Sequence, residues 1–109
     1  GFVPMASVVE LFVKDYLIPG RLYHTTVRRA YRYLPGKFLE PTDLPVASPI
    51  YVISVEVSPV TAVSETEDLC RLAVVFMCGE EIFQLPAFVG IGSVQSYFTP
   101  CKEEEPAPG

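Results

Sequence analysis

Ser64-Glu-Thr-Glu-Asp-Leu69-Cys-Arg-Leu-Ala-Val-Val-Phe-Met77 is the stretch on which the fold turns. Ser64 and Glu67 have the spacing of a capping box. Leu69, Leu72, Ala73 and Phe76 recur at helical period, and Gly79 stands where a helix would be capped. Read that way, the domain is α+β, with one helix near 65–78 lying on a sheet. Composition points elsewhere. Leu-Ala-Val-Val-Phe suits a buried strand, and Cys78-Gly79-Glu80-Glu81 followed by Ile82-Phe-Gln-Leu85 reads as a hairpin. The strand reading is preferred, and with it an all-β class.

Upstream, Tyr51-Val-Ile-Ser-Val-Glu-Val57 alternates cleanly. Tyr51, Ile53, Val55 and Val57 are expected on one face, Ser54 and Glu56 on the other. Residues 38–49 carry Pro41, Pro45 and Pro49 and read as an extended loop of polyproline character. Earlier still, Ser7–Leu17 and Arg21–Leu34 flank Pro19-Gly20, a turn pair, so a long hairpin is the first reading. It has a rival. Ser7 and Glu10 have capping-box spacing, and Val9, Phe12, Val13, Tyr16 and Leu17 follow a helical stripe. Downstream, Gly90-Ile-Gly92 reads as a turn and Val94–Phe98 as a last short strand. About six strands result, in a small antiparallel sandwich or barrel.

At 109 residues, half of them apolar, the chain reads as one globular β-rich domain over 5–101. Gly1–Pro4 ahead of Met5 reads as a cloning remnant, and the domain as the N-terminal one of a larger protein. Residues 102–109, Lys-Glu-Glu-Glu-Pro-Ala-Pro-Gly, read as an acidic, Pro-rich linker or tail. No apolar run nears the ~20 residues that span a bilayer. The three cysteines include no Cys-x-x-Cys and no zinc spacing with the single histidine, so buried, reduced thiols are expected. The cytoplasm is the compartment this favours, with the nucleus as the alternative.

Charge carries the functional hint. Residues 1–37 hold six basic and two acidic side chains, a balance of +4. Residues 38–109 hold two basic and eleven acidic, a balance of −9. The basic part is Arg21-Leu-Tyr23-His24-Thr-Thr-Val-Arg28-Arg29-Ala-Tyr31-Arg32-Tyr33-Leu-Pro-Gly-Lys37. On a single strand, Tyr23, Thr25, Val27, Arg29, Tyr31 and Tyr33 would share one face. His24, Arg28 and Arg32 would share the other with Leu22. Guanidinium groups so placed suit carboxylates or phosphates, and the tyrosines suit stacking or anchoring. Arg21, Tyr23, Arg28, Arg29, Tyr31, Arg32, Tyr33 and Lys37 are therefore the candidate partner-binding residues.

No catalytic residue, metal site or cofactor is expected. His24 lies among arginines, with no nucleophile and acid in sequence frame. Cys70 and Cys78 have acidic neighbours that hold a thiol protonated. The pairs and runs of acids fall on turns or in the tail. Gly90-Ile-Gly92 lacks a phosphate-loop frame. The expectation is a non-enzymatic interaction module or scaffold. It presents a basic, tyrosine-bearing face to an acidic or hydrophobic protein segment, with strand addition one mode. A net charge of −5 makes nucleic acid the lesser partner, bound by a small barrel through its single strand, and argues against a membrane surface. The third reading is self-assembly, the +4 segment of one copy meeting the −9 surface of another.

Overall fold

The computed structural model describes residues 7–33, 40–45, 49–60 and 69–102. The expected cloning remnant, the Ser64–Glu67 capping-box spacing, Lys37 and all of the tail but Lys102 lie outside them. The chain order is α1 (Val8–Tyr16), β1 (Leu22–Thr25), β2 (Arg29–Arg32), β3 (Pro41–Asp43), β4 (Ile50–Pro59), β5 (Cys70–Cys78), β6 (Glu81–Val89), α2 (Ile91–Tyr97) and β7 (Phe98–Pro100). The seven strands form one antiparallel sheet in the order β3-β2-β6-β5-β4-β1-β7.

The deciding stretch is a strand. Along β5, Cys70, Leu72, Val74, Phe76 and Cys78 are buried, while Arg71, Ala73, Val75 and Met77 point to the other face. The hairpin to β6 turns on Gly79 and Glu80, and Gly79 has φ +65°, which a side chain resists. Phe76 and Phe83 stand opposite each other inside, ring centroids 5.9 Å apart.

Three expectations are corrected. Residues 8–16 are a helix and not the first arm of a hairpin. Ser7 Oγ accepts from the Glu10 N–H at 3.1 Å while the Ser7 N–H donates to Glu10 Oε1 at 3.2 Å. That reciprocal cap, with Val9, Val13 and Leu17 buried along one stripe, outweighs the β-branched content. The Pro19-Gly20 turn does form: Arg21 N–H donates to Ile18 O at 3.2 Å and Gly20 has φ +91°, a type II turn leaving a helix. Residues 91–97 are also helical. The Gly90 N–H donates to Ser93 Oγ, and only Phe98–Pro100 is strand. Thirdly, β4 does not alternate throughout. Val52 pairs with Phe76 and Ser54 with Val75, so Ile53 is an extra residue, a β-bulge. Ile50 and Val52 point inward before it and Val55 and Val57 after it, leaving Tyr51 and Ile53 outside. Within the expected proline loop, Pro41–Asp43 is a short edge strand, a place that tolerates proline.

The sequence between β1 and β2 fixes the overall shape. Three residues, Thr26–Arg28, join strands that are four places apart in the sheet. A flat sheet would separate those strands by ~19 Å. The chain from Thr25 to Arg29 reaches at most ~14 Å. The sheet therefore curls into a half-barrel. The crossover is held at both sides: Thr26 N–H donates to Tyr97 O at 3.2 Å, and Leu44 N–H to Arg28 O at 2.9 Å. The side chains of Thr25 and Thr26 donate to Tyr97 O and Ser96 O at the end of α2. Val9, Val13, Leu17 and Val94 from the helices meet the inner face of the sheet in one core.

Candidate functional site

The crossover splits the basic, tyrosine-rich stretch in two. β1 lies beside β4 and β7, while β2 lies beside β3 and β6. Neither is an edge, so strand addition along β1 or β2 is blocked on both flanks.

Tyr23 is buried inside. Its hydroxyl donates to Tyr16 O at 2.6 Å and accepts from the Ile18 N–H at 2.8 Å, tying off the end of α1. Arg21 is exposed beside the Pro19-Gly20 turn, and Arg28 is exposed in the crossover. On β2 the alternation sends Ala30 and Arg32 one way and Arg29, Tyr31 and Tyr33 the other. Arg32 reaches Glu81 Oε1 at 2.8 Å, and Arg29 Nε lies 3.3 Å from Asp43 Oδ1. Arg28 and Arg32 therefore do not form the shared strand-face pair expected of them. Of the described candidate residues, Arg29, Tyr31 and Tyr33 share a surface.

That surface is the outer face of the sheet, opposite the buried core. Across it runs an apolar row. The Tyr33 N–H donates to Ile82 O at 2.9 Å, Ile82 stands opposite Met77, Met77 opposite Tyr51, and Tyr51 opposite Leu22. Leu22, Tyr33, Tyr51 and Ile82 are each 37–49% exposed, and Ile53 on the bulge adds to the row. Sequence reasoning missed Leu22, Tyr51, Ile53, Met77 and Ile82. It placed Leu22 with the arginines because it took residues 21–34 as one strand. Ile82 and Met77 flank a hairpin whose facing becomes readable only once Cys78 and Phe83 are known to be buried.

Further along β5 on the same face lies a depression of about 650 Å³. The register places Pro86, Ala73 and Glu56 in one row, and Phe88, Arg71 and Ser58 in the next. Lys14 of α1, Glu56, Ser58, Arg71 and Gln84 supply polar groups to its walls, and the small Ala73 side chain leaves the room. Neither Lys14 nor Arg71 has a carboxylate partner among the described residues. The two cations outnumber the single carboxylate.

His24 is exposed on β1 opposite Thr99. Cys70 and Cys78 are buried, and burial together with the Glu10 charge raises the Cys70 pKa. No group of three His, Cys, Asp or Glu side chains among the described residues is placed to hold a metal. No described helix is long and apolar enough to cross a membrane. The chain matches no family model, no curated protein and no solved structure.

Proposed function

We propose that this domain is a non-enzymatic protein-interaction module whose contact surface is the outer face of the sheet. The observation that carries the reading is the apolar row Tyr33–Ile82–Met77–Tyr51–Leu22. Each exposed member stands against another across the ladder, and not singly among polar neighbours. With Ile53, the exposed part of the row covers on the order of 400 Å², a size at which surface patches tend to be functional. Tyrosines at a patch of this kind provide large contact area at small entropic cost. The ion pairs on Arg29 and Arg32 weaken the rival reading, because a guanidinium engaged by a carboxylate is a poorer phosphate clamp.

The test is a titration of the isotopically labelled domain with a pool of acidic-aromatic peptides and, separately, with a short single-stranded oligonucleotide. Amide shifts on Tyr31, Tyr33, Tyr51, Met77 and Ile82 with peptide are expected. Shifts confined to Arg21, Arg28 and their neighbours with oligonucleotide would transfer the domain to nucleic-acid binding. Silence in both titrations would sink the proposal.

A further inference from the structure

The row and the depression lie on one face and are joined by β5. Met77 belongs to the row, Ala73 is at the depression and Arg71 is on its wall. At ~3.3 Å per residue, Met77 and Ala73 are about 13 Å apart, and Met77 and Arg71 about 20 Å. One end of this track is apolar and aromatic. The other holds two cations without carboxylate partners among the described residues, a serine hydroxyl and a glutamine amide, against one carboxylate.

We infer that the partner is an extended protein segment lying along β5, with a carboxylate about four to six residues from its apolar anchors. The anchors cover Tyr51, Met77 and Ile82. The carboxylate enters the depression between Lys14 and Arg71. Charge complementarity selects the acid: among the described residues, an incoming cation would meet Lys14 and Arg71 with only Glu56 in its favour. The two ends also set register, because a segment with the acid at another spacing satisfies one end only. The inference rests on the outer face being the contact surface.

The probes are synthetic peptides blocked at both ends. Each carries an Ile-Thr-Phe anchor with a glutamate about two, four or six residues beyond it. Binding is followed by fluorescence anisotropy and by amide shifts. The peptides with the longer two spacings should bind at least tenfold tighter than the shortest. Arg71→Glu should weaken them about tenfold or more, and a lysine in place of the glutamate should restore binding to that variant. Met77→Lys should abolish binding of all of them. If Met77→Lys abolishes binding while Arg71→Glu and the spacing change nothing, the acidic-segment inference falls and the outer-face reading stands. If neither variant matters, both fall. Sedimentation of the free protein at about 1 mM supplies the last arm. A dimer dissolved by Met77→Lys would mean a second copy occupies the face, and would overturn the inference.

Discussion

Tyr23 and Tyr33 lie ten residues apart in the same basic stretch, and they do opposite things. Tyr23 is buried, and its hydroxyl serves both the Tyr16 carbonyl and the Ile18 N–H. Tyr33 is half-exposed at the end of the apolar row. Removing the Tyr23 hydroxyl orphans two backbone groups at the end of α1. Tyr23→Phe should therefore cost about 1–3 kcal/mol in denaturant unfolding. Tyr33→Phe should change stability by less than about 0.5 kcal/mol. Equal effects would mean the Tyr23 hydroxyl bonds are not formed in solution. Nothing local in the sequence distinguishes the two, since each has a leucine on one side, Leu22 or Leu34, and a polar nitrogen-bearing side chain on the other, His24 or Arg32. The difference arises from the crossover at Thr26–Arg28, which resets the alternation between them.

At the scale of elements, α1 and β4 show opposite kinds of legibility. The cap of α1 is written in Ser7 and Glu10, and the helical stripe in Val9, Val13 and Leu17. Propensity argued against the helix, but propensity is a weak prior once one stripe is buried. Ser7→Ala should lose about 0.5–2 kcal/mol, visible as a lowered melting temperature with unchanged strand content by circular dichroism. The bulge in β4 could not be read. Tyr51-Val52-Ile53 is apolar on both faces, so the pattern hides the extra residue. Its removal has an unusual outcome. With Ile53 deleted, Val52 still meets Phe76 and Ser54 still meets Val75, so every remaining side chain keeps its face. The deletion should fold, with cross-strand contacts between Val55 and Val74 retained in NMR spectra. Loss of those contacts would show that the bulge is required for the fold. The Val94–Phe98 segment misled for a related reason: Gly90 and Gly92 read as a turn, whereas Gly90 is a helix cap served by Ser93.

For the whole molecule, the antiparallel class, the Cys78–Glu81 hairpin and the strand character of β5 were legible. The strand order was not, because it follows from pairings between distant segments. The enclosed core makes two further predictions. Cys70 and Cys78 should resist alkylation in the native protein, with Cys101, which is partly exposed, reacting first. Labelling of all three at equal rates would contradict the packing. The second concerns pH. Burial, and then the Glu10 charge, raises the Cys70 pKa above its ordinary 9.0. Burial, and then Tyr23, raises that of Tyr16 above 10.0. The unfolded chain gives up these protons first. The stability they contribute is thus complete below the unfolded values and declines as pH climbs toward the folded ones. Unfolding curves should be flat in this respect up to about pH 8.5 and weaken above it. Cys70→Ala should flatten the first part of the decline, and an unchanged slope would exclude the thiol as its source.

The strand order also dictates a schedule. β4, β5 and β6 pair with their neighbours in the chain, but β1 pairs with β4 and β7, and β2 with β6. During synthesis, Tyr23 emerges long before Pro100, the residue it finally faces. At about 5–20 residues per second, the first strand waits several seconds for its last neighbour. Until then one flank of β1 lacks its neighbour, and β2 waits for β6 before it joins the rest of the sheet. The segment carrying β1 and β2 is thus made early, while β6 and β7, which flank it in the finished sheet, are made late.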